Sequence, residues 1–217
     1  MNKTLLVTRS RHDEATNYLY YFAEQVIREA QQRNFKILDL VDKKANYNDF
    51  SGRIRKTEPD LIFLNGHGSP TSIAGYNDEI LISVDKNISL LKNKITYALS
   101  CSSAKKLGKY AIKNGAKSFI GYKENFIFMH EQDKSTRPTE DKTAKLFFEP
   151  SNLIVTTLIK GNTPKEAFNR SQKEFKNNLR KLMTSESPQG NKSSIPWLYW
   201  DMIHQVCLCD AKRDTGI

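Results

Sequence analysis

Short apolar runs alternate with stretches in which apolar residues recur every three or four positions, and this alternation continues to about Ile120. Leu5 to Thr8 reads as a strand. After it, Asp13 is placed to cap a helix whose stripe is Ala15, Leu19, Phe22, Val26 and Ala30. Phe35 to Leu40 gives a second strand, and Asp49 to Lys56 a helix closed by Pro59. Leu61 to Leu64 is a third strand, apolar throughout, as a strand must be when helices cover both faces of its sheet. Ile95 to Leu99 is a fourth. A helix from about Ser103 to Asn114 then ends at Gly115, a residue suited to a left-handed C-cap, and a fifth strand begins at Phe119-Ile120. Such alternation predicts a mostly parallel sheet with right-handed crossovers.

The rest of the chain reads as mainly helical. Thr143 to Phe148 and Ser151 to Lys160 are expected as two helices separated by Pro150. Thr163-Pro164-Lys165-Glu166 is a helix start with a capping box, and Phe168, Phe175, Leu179 and Leu182 supply a face to bury. Glu131 to Lys142 and Thr184 to Ser194 read as mobile segments. There is no internal repeat and no dividing linker, so a single domain over residues 1–217 is expected.

Composition narrows the class. Hydrophobic residues at 38% and charged residues at 27% exclude a disordered or fibrous chain. No apolar run approaches the ~20 residues of a membrane span. Arg9 and Arg11 interrupt any signal-peptide core, and three cysteines do not make a disulfide framework. A soluble, cytoplasmic protein without membrane contact is the expectation. The formal charge is +10, and Lys86 to Lys123 holds nine lysines with no Asp or Glu. Lys105, Lys109 and Lys113 are spaced to share one helix face. That face is either a solvated surface or a docking site for an acidic protein partner, with nucleic acid at most an indirect contact.

Two strand ends carry the candidate chemistry: Asn65-Gly66-His67-Gly68 and Leu99-Ser100-Cys101-Ser102. If their strands are neighbours, His67 and Cys101 emerge together at the carboxyl edge of the sheet, where α/β folds place their sites. Cys101 would then open a helix whose N-terminus favours a thiolate. An imidazole beside it can take the thiol proton and return it to a leaving amine. The N–H groups of Gly68 and Cys101 are candidates for an oxyanion hole. Taken singly, the motifs read as a core cysteine and a plain loop; together they point to acyl transfer.

These residues resemble the motifs of the caspase-like (clan CD) cysteine peptidases, and among them the CHAT and gingipain-like group. Gly115 to Gly121 is similar to the strand that follows the nucleophile's helix, and Gly161-Asn162-Thr163-Pro164-Lys165-Glu166-Ala167 to a helix start of CHAT domains. Pro196-Trp197-Leu198-Tyr199-Trp200 through Asp210 is similar to their C-terminal Trp-containing strand, with Cys209 replacing a usual glycine. The resemblance implies a three-layer α/β/α fold with a mostly parallel central sheet. It further implies a cysteine endopeptidase with His67 as base and Cys101 as nucleophile, acting on protein or peptide substrates without a cofactor. CHAT-like domains of this size resemble proteolytic effectors of prokaryotic immune and cell-death systems.

Leu99 stands where related peptidases carry the polar residue that selects the substrate side chain, so it cannot pair with a charge there. Arg9, Arg11, Asp78 and Glu79 are further substrate-binding candidates, weighed against ordinary solvated charges. His204, Cys207 and Cys209 lack a fourth ligand and read as packing residues, as do Trp197, Tyr199 and Trp200. His12 and His130 read as loop residues. The competing functions are a non-catalytic scaffold of the same fold and a basic nucleic-acid-binding α/β protein.

Overall fold

Six strands form the central sheet, in the order Lys36–Val41, Thr4–Arg9, Leu61–Asn65, Ile95–Leu99, Ser118–Tyr122, Gln205–Cys209. A computed structural model describes residues 3–184, 192–209 and 216. The strands are β1 (Thr4–Arg9), β2 (Lys36–Val41), β3 (Leu61–Asn65), β6 (Ile95–Leu99), β7 (Ser118–Tyr122) and β8 (Gln205–Cys209). A separate antiparallel hairpin, β4 (Ser72–Ala74) and β5 (Ile80–Ser83), lies between β3 and β6 in sequence. Within the central sheet all pairings are parallel except β7 with β8.

The continuous apolar runs feed two cores. Leu5, Val7, Phe63, Tyr97 and Leu99 face α1 (Glu14–Gln32) and α4 (Lys142–Leu158). Leu6, Ile62, Leu64 and Ala98 face the opposite way, onto α2 (Tyr47–Thr57), α3 (Leu107–Lys113) and the hairpin. Because side chains alternate along a strand, a sheet buried on both sides needs an apolar residue at every position. The result is the expected three-layer α/β/α arrangement. A smaller cluster joins α4 to α5 (Pro164–Leu182) and α6 (Ile195–His204) through Phe147, Phe175, Leu179 and Leu198.

Three expected elements differ. Pro150 does not divide α4. The proline lacks the N–H that would reach the Leu146 carbonyl, and the Asn178 side-chain amide donates to that carbonyl instead, at 3.0 Å. Residues 101–106 make turns, so α3 starts only at Leu107; the N–H of Ser102 bonds the Glu124 carbonyl and that of Ala104 the Tyr122 carbonyl. The Trp197-containing segment is helical, because its buried residues Leu198, Asp201 and Met202 share one helix face; the strand begins after it, at Gln205. Of the two segments read as mobile, 131–142 is tied down: Glu131 N–H bonds Asp141, Asn17 donates to the Ser135 carbonyl, and Thr143 N–H bonds Glu131. Residues 185–191 of the other lie outside the described residues.

Candidate active site

The parallel ladder between β3 and β6 pairs Asn65 with Leu99. His67 and Cys101 each lie two residues beyond that last rung, so the two loops leave neighbouring strands side by side. Their backbones touch. A Cβ on Gly68 would lie 2.3 Å from the Cys101 carbonyl oxygen and 2.8 Å from its nitrogen, so no larger residue fits there. The His67 loop turns back into the hairpin, with Ala74 N–H donating to the His67 carbonyl at 2.9 Å.

His67 Nε2 meets Asp13 Oδ2 at 2.5 Å. Asp13 follows β1, which neighbours β3, and it is the N-cap of α1, where its Oδ1 accepts the Thr16 N–H at 2.7 Å. Burial works against the Asp13 carboxylate, yet the Thr16 N–H and hydroxyl together with His67 hold it down at about 2. It is therefore a fixed negative charge against the ring. A neutral ring that gives its Nε2–H to Asp13 would carry its lone pair on Nδ1.

Cys101 is half-buried, with Sγ 3.8 Å from the Phe126 carbonyl oxygen. Burial pushes its thiol up, and the helix expected to draw it down begins six residues later. The thiol is thus held as S–H, and ionising it requires a base. The segment after β7 walls this side of the site. Asn125 accepts from Ser102 Oγ through its side chain and from Trp200 Nε1 through its carbonyl, both at 3.0 Å. The Ile127 N–H donates to Asp201 Oδ1 at 3.0 Å. Asp201 is fully buried, which raises its carboxyl well above the usual range.

The other candidates scatter. Leu99 is buried in the core, facing α1 and α4. Arg9 is buried too, clamped by Asp39 and Glu24 and stacked on Tyr20, so its charge is consumed within the fold. Arg11 pairs with Asp42 at 2.6 Å, beside an open depression of about 790 Å³ shared with Lys43, Lys44 and Tyr76. Glu79 accepts the Tyr47 N–H at the start of α2. Asp78 lies near His67, beside His12. Of the proposed lysine stripe, Lys105 lies before α3 and pairs with Glu124 at 2.8 Å. Lys94, in the same basic stretch, is buried near Glu58.

Asp13 and His12 were the residues that sequence patterning left out of the site. The available signal was their position: a carboxylate and an imidazole directly after the first strand of a parallel sheet share the edge on which His67 and Cys101 emerge.

This is the caspase-like α/β fold. The arrangement superposes on gingipain R, described as an Arg-specific cysteine proteinase, with a TM-score of 0.66 at 9% identity, over 99% of this chain and 47% of that one. A complex of Porphyromonas gingivalis RgpB pro- and mature domains matches at 0.57 and 10% identity, covering 98% of this chain and 48% of that one. A structure described simply as a protease matches at 0.54 and 13% identity, covering 99% and 48%. The chain spans about half the length of these solved structures. By sequence it matches no protein-family description and no curated protein. Among the described residues no helix is long and apolar enough to cross a membrane.

Proposed function

We propose that the chain is a cysteine endopeptidase, formed as one peptidase domain, in which Cys101 attacks the peptide carbonyl and His67 moves the proton. One observation carries this reading: adjacent parallel strands deliver His67 and Cys101 at matched positions, with Asp13 held on Nε2 of the imidazole. His67 Nδ1 takes the Sγ proton as sulfur bonds to the carbonyl carbon, and the N–H groups of Gly68 and Cys101 receive the charge that develops on oxygen. The imidazolium formed is stabilised by Asp13 and returns its proton to the leaving amine. Water, deprotonated by His67, then releases the thioester as a free acid and restores the thiol. The fold shared with gingipain R supports peptide substrates. The likeness to CHAT domains points to particular protein partners, such as a processing or defence effector would cleave.

The scaffold reading is favoured by the burial of Cys101, which pushes its thiol up. A diverse peptide library incubated with wild type and with Cys101→Ala separates the two. Cleavage seen with wild type only is the expected result, and it reports the preferred residue before the cut. Identical profiles for the two proteins favour the scaffold.

A further inference from the structure

His12 takes no part in the mechanism above, yet it lies against it. Its side chain is only 11% exposed, and neither ring nitrogen has a hydrogen-bond partner among the described residues. A nearly buried imidazole with both nitrogens unmatched is unfavourable unless something occupies a lone pair. Four side chains surround it. Nε2 is 3.6 Å from Asp78 Oδ1 and 3.8 Å from Asp13 Oδ2, both too far for a hydrogen bond. The His67 ring stands edge-on at 5.7 Å between centroids, and Tyr76 packs on the ring at 5.9 Å.

Donor atoms of His12, His67 and Asp78 all fall within 4.8 Å of one another. Zinc bonds of about 2.0–2.1 Å in a tetrahedron place neighbouring donors roughly 3.4 Å apart, so modest closure suffices. Asp78, whose side chain is 68% exposed, can close its own distances to an ion, and the two imidazoles need only a small ring adjustment. Two imidazoles and one carboxylate suit zinc, cobalt, nickel or copper, whereas magnesium and calcium favour all-oxygen sets. Asp13 on His67 supplies the carboxylate–histidine pairing that orients a metal-binding ring.

We propose that His12, His67 and Asp78 bind a divalent ion of the zinc type, and that its occupancy switches the peptidase off by engaging His67. Coordination consumes a nitrogen lone pair of His67 or displaces Asp13 from it; in both cases proton transfer from Cys101 stops. The inhibitory half rests on the proposed peptidase mechanism, while the binding half stands independently of it.

The test uses full-length Cys101→Ala protein, which removes the nearby thiol as a competing ligand. Zinc chloride is titrated calorimetrically and cobalt chloride by visible absorption. One ion per chain is expected, with affinity at least about tenfold weaker in both His12→Ala and Asp78→Asn and no competition from magnesium. Asp78 is exposed, so its variant folds even if the His12 variant does not. No saturable binding up to about 1 mM zinc overturns the site. So does unchanged affinity in Asp78→Asn and His12→Ala, or a sulfur-to-cobalt absorption that places the ion on Cys207 and Cys209. With Cys101 intact, zinc should abolish peptide cleavage, and Asp78→Asn should raise the half-inhibiting concentration by about the same factor. Binding lost in the variants of a protein that cleaves no peptide upholds the site and overturns the proposed function, so the two fail separately.

Discussion

Asp13 binds helix α1 with one carboxylate oxygen and His67 with the other: Oδ1 accepts the Thr16 N–H at 2.7 Å and Oδ2 meets His67 Nε2 at 2.5 Å. The two jobs can be separated by substitution. Asparagine keeps a good N-cap but loses the charge, so Asp13→Asn should fold as well as wild type. Its kcat/KM should fall by about 10- to 100-fold, because a misoriented imidazole forfeits part of the usual general acid–base gain. Asp13→Ala should show the same kinetic loss and also about 1 kcal/mol of lost stability. Denaturant unfolding and peptide hydrolysis read the two effects. Wild-type kcat/KM in Asp13→Asn would remove the orienting role.

Cys101 should titrate late. Free thiols ionise near ~8.5, and burial moves this one upward. Iodoacetamide labelling of Cys101, followed by mass spectrometry across a pH series, is expected to inflect above the value for a free cysteine, since the thiolate is the reactive form. An inflection at or below about pH 7 would instead mean that a thiolate is already formed at rest.

Asp201 makes stability depend on pH. Its folded-state carboxyl is raised by burial, whereas in the unfolded chain it ionises near ~3.9. Below that value both states hold the proton. As pH climbs towards the folded-state value, the unfolded state loses its proton first and stability declines. Asp201→Asn keeps the acceptor for the Ile127 N–H and removes the titration. Thermal unfolding should find it close to wild type near pH 3 and more stable than wild type near pH 8. A constant difference at both pH values contradicts this account.

The uninterrupted α4 depends on Asn178. Removing that side chain leaves the Leu146 carbonyl without its donor, which should cost about 1–3 kcal/mol. Pro150→Ala restores a backbone N–H for the same carbonyl, so Asn178→Ala should be far milder in that background. Equal costs in both backgrounds, measured by a double-mutant cycle, would disconnect the two residues.

That pair also marks where sequence patterning stopped. Leu5-Leu6-Val7 and Leu61 to Leu64 announce buried strands by composition alone, and the Thr163–Glu166 capping box forms as read. These signals are local. Pro150 signals a break just as locally, and the group that removes the break comes from another helix. The late start of α3 has a similar origin: its first turn is diverted by bonds to the end of β7. The β4–β5 hairpin was missed because strands of three and four residues hardly establish a period. At the site, the Gly-His-Gly and Ser-Cys pattern marked two side chains. Asp13 showed only its capping role, because its second contact exists only once β1 lies beside β3.

The rung pairing Asn65 with Leu99 makes the site a matter of counting. Inserting or deleting one residue inside β3 or β6 would turn every later side chain of that strand to the opposite face. His67 or Cys101 would then leave its strand from the wrong side, with the overall composition hardly changed. The connection from Ser69 to Asn93 is under no such rule, because its length does not enter the register. Exposed turns of that connection can therefore change length without shifting His67 against Cys101, provided its core residues Ile73, Leu81 and Ile82 and the proposed ligand Asp78 are kept, while the two short strands that flank it must keep their number.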